Sequence, residues 1–203
     1  MDLSVVDLQE LKSKIRGVRP LRGDGRYTTA YIDALPEDVR VELIRGRLYD
    51  MAAPTATHQR ILLRCVRTIA DYIDEHGGNC EVFPAPFGVR LFDDDKTQVE
   101  PDVSVICDPD KIDEKGCSGA PDWIIEIVSE SNRSHDCVRK LDLYQAAGVR
   151  EYWIVDPFNE VVFVYFFEEE YNETYSFQEP VPVHIYPELA LDFSGFLKQA
   201  SAK

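Results

Sequence analysis

Residues 123–128, Trp-Ile-Ile-Glu-Ile-Val, restrict the possible folds of this chain more than any other stretch. The run is apolar and β-branched apart from one position, the pattern of a strand covered on both faces, and it demands a sheet with packing layers on either side. Glu126 interrupts it. An ionised carboxylate there costs several kcal/mol of desolvation unless a cation or several donors meet it. The fold must therefore bring something positive to Glu126. A structural ion pair with an arginine, or escape to solvent at the strand's end, would satisfy that demand as well as a functional site would.

A second run sharpens the reading. Residues 99–106, Val-Glu-Pro-Asp-Val-Ser-Val-Ile, predict another buried strand, with Pro101 where a strand can begin but cannot be paired on both sides, and with Asp102 as its one acid after the proline. Two buried strands carrying one inward carboxylate each offer hard oxygens suited to Mg²⁺ or Mn²⁺ without sulfur or imidazole. Downstream, Ser134 is a candidate N-cap. Cys137, Val138, Leu141 and Tyr144 follow at helical spacing, and Gly148 stops the helix after Ala147. Lys140 lies at the border of that apolar stripe, near Tyr144 and Asp136, so its ammonium can extend toward the strand ends while its stem stays covered. A solvated surface lysine is the competing reading.

These residues resemble the PD-(D/E)XK nuclease superfamily and, more closely, the Uma-two family of restriction-endonuclease-like proteins. The resemblance rests on residues 101–105, on 123–129, on Asp136 with Lys140 and Tyr144, and on residues 148–157, Gly-Val-Arg-Glu-Tyr-Trp-Ile-Val-Asp-Pro. It covers residues 39 to about 196. The fold it implies is α/β: a restriction-endonuclease-like mixed central sheet flanked by helices. The activity it implies is Mg²⁺- or Mn²⁺-dependent hydrolysis of a phosphodiester in nucleic acid, with DNA the expected substrate. Asp102, Glu126 and the backbone carbonyl of Ile127 would hold the metal. Lys140 would orient or help deprotonate the attacking water, steered by Asp136 and with Tyr144 packed or hydrogen-bonded beside it. The superfamily's usual lysine stands two residues after the glutamate, where this chain has Val128. The Uma-two pattern moves that lysine onto the following helix, where Lys140 stands. The alternative is a non-catalytic binding or assembly module that keeps the nuclease fold.

Two further residues enter by the same route. Residues 41–51 predict a hairpin turning at Arg45-Gly46. Its Glu42 is either a third carboxylate at the metal or an ordinary exposed strand glutamate. Pro54 and Thr57 predict the start of the longest helix, about 57–76, closed by Gly77-Gly78. His58 shares a stripe with Leu62, Cys65, Ile69 and Tyr72, so it is aimed inward. It is either a core histidine with one hydrogen bond or a neutral imidazole serving a metal-bound water or a phosphate oxygen.

Charge is the main argument against a nucleic-acid substrate. The 203-residue chain has a formal net charge of −15, which repels a polyanion. Residues 1–26 hold six basic residues, Lys12 to Arg26, against four acids; they carry +2 and leave −17 for the rest. They predict a short amphipathic helix with Val5, Leu8, Leu11 and Ile15, a basic appendage to one domain spanning 27–203. No apolar run approaches a membrane span, and the acidic start is not a signal peptide. The five scattered cysteines, without a CxxC pair, predict reduced thiols in a cytoplasmic protein. Residues 82–91, broken by Pro84 and Pro86, predict an edge or bent strand, and 108–121 a polar loop. Residues 151–177 predict a C-terminal antiparallel meander whose aromatic strand is core or the face of a homodimer. A weaker strand over 181–185 and a last helical turn over 193–197 complete the expectations.

Overall fold

The computed structural model describes residues 25–36, 39–129 and 135–196, and the side chains of 135–139 lie outside what it describes. The expected N-terminal helix, the cap at Ser134, and the side chains of Asp136, Cys137 and Val138 therefore fall outside the described residues. Contacts divide the chain into two compact units, residues 1–53 with 94–99, and residues 54–93 with 100–203.

In the first unit, helix α1 (Thr29–Asp33) precedes a hairpin of β1 (Val41–Ile44) and β2 (Arg47–Asp50), in which Leu43 faces Leu48 and Glu42 faces Tyr49. The turn is where the sequence puts it. Arg45 and Gly46 both have positive φ, 51° and 75°, as a two-residue hairpin turn matching the strand twist requires. Gly46 is needed for a second reason: a Cβ there would stand 2.6 Å from the backbone of Gly25. Val41, Leu43 and Leu48 form the small core, against which Tyr27, Tyr31 and Ile32 pack. Glu42 is 2% exposed. It is not an exposed strand glutamate.

The second unit is built on a six-stranded sheet. Helix α2 (Ala56–His76) leads into β3 (Glu81–Pro84), β4 (Val89–Arg90) and β5 (Val103–Ile106). The short strands β6 (Ile112–Asp113) and β7 (Gly116–Ser118) precede β8 (Trp123–Ile127), helix α3 (His135–Ala147), β9 (Glu151–Asp156), β10 (Val161–Phe166) and β11 (Tyr171–Ser176). Finally β12 (Val181–Pro182) pairs with β13 (Ala190–Leu191). The sheet order is β11-β10-β9-β8-β5-β3, with β8 and β9 parallel and the other pairs antiparallel. Parallel neighbours need a crossover, and α3 supplies it. Helix α2 covers one face: Ile61, Cys65 and Ile69 join Val103, Val105, Ile125, Trp153 and Val155 in the main core. Each such fully buried aliphatic side chain contributes roughly 1.5–3 kcal/mol. All five residues of β8 and the first five of β9 are buried, as the unbroken apolar runs require of strands covered on both sides. In β10 burial alternates, with Val162, Val164 and Phe166 inward.

Several sequence expectations need correction. Thr55, not Pro54 or Thr57, caps α2, its hydroxyl accepting the His58 N–H at 3.2 Å. Residues 108–121 are not merely a polar loop, because β6 and β7 join β4 in a small sheet. The cysteines are not all thiols. Cys80 and Cys107 form a disulfide, since continuing the β3–β5 register by one residue sets them opposite each other. Cys65 and Cys117 are free and buried. Residues 183–185 do not extend β12, because the N–H groups of His184 and Ile185 turn to the Glu151 carboxylate.

Candidate active site

The site forms where β5 begins and β8 ends. The antiparallel register pairs Val103 with Ile125 and Ser104 with Ile124; one further step along the two chains sets Asp102 opposite Glu126. Regular pairing stops there. The N–H of Ile127 donates to Oδ2 of Asp102 at 2.7 Å, whereas the next N–H, of Val128, donates to the Val155 carbonyl at 2.8 Å. Extended backbone directs the N–H and C=O of one residue to the same side, so the Ile127 carbonyl shares the side on which Asp102 lies. The Ala85 N–H, donating to the Asp102 carbonyl at 3.0 Å, ties the backbone here to the segment after β3.

Asp102 has a second donor. Nε2 of His58 lies 3.1 Å from the same Oδ2, and the tautomer that satisfies the carboxylate carries its proton on Nε2. His58 reaches Asp102 because it stands in the first turn of α2 on the inward stripe, 7% exposed. Its Nδ1 is buried without a partner among the described residues. The imidazole thus holds the carboxylate itself, rather than pairing with the backbone or a core hydroxyl. Just below, burial and secondarily the charge of Asp102 push the Cys65 thiol up to about 12. Cys65 stays protonated and is no nucleophile.

Glu126 meets its donors from the other layer. Lys140 Nζ donates to Oε1 at 2.9 Å and the Tyr144 hydroxyl to the same oxygen at 2.7 Å. Lys140 and Tyr144 are one helical turn apart on α3, so one face of the crossover helix presents both. Lys140 is 4% exposed and Tyr144 is fully buried. Lys140 is therefore not a solvated surface lysine, and it brings a cation to Glu126. Tyr144 is braced in turn by an edge-to-face contact with Tyr152 of β9, 4.9 Å between ring centroids.

Asp102, Glu126, Ile127, Lys140, Tyr144 and His58 thus gather in one unit. Glu42 belongs to the other unit, and the Asp136 side chain lies outside the described residues. Among the described residues no group of three or more His, Cys, Asp and Glu side chains is arranged to hold a metal. The donor chemistry nevertheless fits Mg²⁺, which is bound through one or two carboxylates, keeps several waters and needs no all-protein cage. Two carboxylates in opposed positions with a backbone carbonyl beside them are such a set.

Comparison with known proteins bears on the family and the fold. The Uma2 family model, described as "Putative restriction endonuclease", matches residues 28–197. "Uncharacterized protein slr1290" of Synechocystis is 27% identical over 103 residues, which are 51% of this chain and 53% of that one; the alignment spans about half the length of that curated relative. Among solved structures, "a putative nuclease belonging to DUF820" from Anabaena variabilis aligns with a TM-score of 0.69 at 25% identity. That alignment covers 84% of this chain and 97% of the other.

Proposed function

The chain belongs to the Uma2 family of restriction-endonuclease-like proteins, and from that premise we propose that it is a Mg²⁺-dependent endonuclease hydrolysing phosphodiester bonds of nucleic acid, with DNA as substrate. The observation that carries this reading is the buried Glu126 carboxylate, met by a lysine and a tyrosine from the crossover helix, with Asp102 opposed to it across two strands. Asp102, Glu126 and the Ile127 carbonyl would hold Mg²⁺ or Mn²⁺, and the ion would supply Lewis acidity and an activated water there.

The remaining residues divide the labour by contact. His58 and the Ile127 N–H fix the Asp102 carboxylate from two sides, which leaves it one orientation. Lys140 holds Oε1 of Glu126 and brings a positive charge to the strand ends, where it offsets the charge of an approaching phosphate and can orient the attacking water. Tyr144 fixes the same oxygen without adding charge. Asp136 completes the proposed set, as the residue that steers Lys140.

Cleavage of labelled single- and double-stranded DNA and RNA tests the reading, with EDTA, Mg²⁺ and Mn²⁺ on wild type, Asp102→Asn and Glu126→Gln. Cleavage of DNA that needs the ion and both carboxylates supports it. The second reading, a non-catalytic binding or assembly module, has its own support in the net charge of −15 and in the ion pair that already neutralises Glu126. Wild type that cuts none of these substrates with any ion would establish it instead.

A further inference from the structure

One face of the molecule runs against its overall charge. Residues 51–70 are the longest stretch of this acidic chain without Asp or Glu, and they contain Arg60, Arg64 and Arg67. At about 100° per residue these three arginines share the side of α2 opposite the inward stripe of His58, Leu62, Cys65 and Ile69. All three are exposed. With Ser194, Gly195 and Phe196 they wall a groove of about 410 Å³. The Arg64 guanidinium stands 5.4 Å over the Phe196 ring, which holds one cation in place. Leu63, 67% exposed, lies between the arginines. The acid nearest in sequence, Asp71, pairs with Arg67 at 3.6 Å, but both side chains are mostly in solvent, so the pairing is weak and exchangeable.

We propose that this face of α2 is the track along which the phosphate backbone of the DNA substrate docks, a proposal that rests on the nuclease reading for its choice of ligand. Charge complementarity over a definite length favours this ligand. From Arg60 to Arg67 the helix rises about 10 Å, too long for one phosphate and suited to successive phosphates of a strand. Guanidinium forks grip phosphate oxygens in two-point contacts, which lysines do not. An aliphatic side chain between them meets the apolar face of a sugar without reading sequence. The track begins two residues after His58, so the helix that fixes Asp102 at its first turn also carries the cations that hold the polymer. Three cations that can attract DNA to a chain of charge −15 thus stand together on one helix face.

The test is a binding titration of labelled single-stranded and duplex DNA by fluorescence anisotropy, across a salt series in Ca²⁺. It compares wild type, Arg60→Gln/Arg67→Gln, and Arg47→Gln, an exposed arginine of β2, as control. Arg64 is left intact because of its contact with Phe196. The double variant should keep the wild-type melting temperature, lose about tenfold or more in affinity at low salt, and show a log–log salt slope shallower by about 0.7–0.9 per arginine removed. Unchanged affinity and slope in the double variant, an equal loss in Arg47→Gln, or no DNA binding by wild type would each overturn the track. Cleavage in Mg²⁺ is read separately. Metal-dependent cleavage by the double variant with unchanged KM removes the track and leaves the nuclease standing. Binding lost in the double variant, with no cleavage by wild type, keeps the track and removes the nuclease.

Discussion

Two glutamates occupy neighbouring parallel strands of one sheet and are held in opposite ways. Glu126, near the end of β8, is 8% exposed and takes both described bonds on one oxygen, from a lysine and a tyrosine of α3. Glu151, at the start of β9, is fully buried and has no cation in its set. The Trp153 indole N–H donates to it at 2.7 Å, and the N–H groups of His184 and Ile185 at 3.1 and 2.9 Å. The difference separates a structural joint from the proposed site. Two backbone donors bind the segment at 184–185 to the sheet, and the third donor, the Trp153 indole, comes from the same strand as Glu151. Side-chain donors on a separate helix can exchange one partner for another. Burial of a carboxylate is common to both; only the donors differ.

The largest effect that could break the comparison is on turnover. Glu126→Gln and Asp102→Asn should each lower metal-dependent cleavage by about 10³-fold or more, as expected when a preorganised charge-stabilising group is lost, whereas the folded fraction of Glu151→Gln should cut at the wild-type rate. Steady-state cleavage of the three variants decides it, and a Glu126→Gln protein with wild-type kcat would make the two glutamates equivalent.

Next in size is the stability cost at Lys140. Removing the cation leaves a buried carboxylate uncompensated, so Lys140→Ala should abolish cleavage and also destabilise by about 3–5 kcal/mol. The sharper readout is linkage. In wild type an ion has to displace or share with the ammonium, while in Lys140→Ala it replaces the missing charge, so Mg²⁺ should raise the melting temperature more in the variant than in wild type. Equal shifts in a thermal melt with and without Mg²⁺ would mean that the ion does not reach Glu126.

Glu151→Gln should cost less, about 1–3 kcal/mol, because the amide oxygen can still accept but its NH₂ faces an N–H donor left unsatisfied. Chemical denaturation measures that loss. The smallest effect is its pH dependence. Burial raises the Glu151 pKa above the ordinary carboxylate value, against the lowering effect of its three donors. The folded state therefore holds the proton more tightly than the unfolded state. That contribution is fully present below the unfolded pKa and is lost as pH rises through the folded one. Wild-type stability measured relative to Glu151→Gln should accordingly fall as pH climbs from the unfolded carboxylate value upward. A difference that grows with pH in that window would mean that the donors outweigh the burial.

Much of this protein was legible in its residues alone. A β-branched run with one acid has to be a doubly covered strand, and that acid has to find a cation or several donors; both statements follow from desolvation, which depends on local composition more than on topology. The turn at Arg45-Gly46 and the stop at Gly148 were legible for the same local reason, since positive φ is a property of single residues. The resemblance to the nuclease-like family, carried by residues 101–105 and 123–129, by Asp136 with Lys140 and Tyr144, and by residues 148–157, also stands. What the chain's order could not state is which partner answers each demand. That Lys140 and Tyr144 converge on one oxygen depends on how α3 lies across β8 and β9. That His58 bonds Asp102, 44 residues away, depends on where the first turn of α2 ends against the sheet. Glu151 is the plainest case, because a run of buried residues looks the same whether its acid is met by an ammonium or by the backbone of residues 184–185. The pairing of Cys80 with Cys107 belongs here too, since it needs the β3–β5 register. Local pattern sets which groups must be satisfied; only packing between distant segments sets what satisfies them, because a hydrogen bond depends on a few tenths of an ångström that no spacing along the chain encodes.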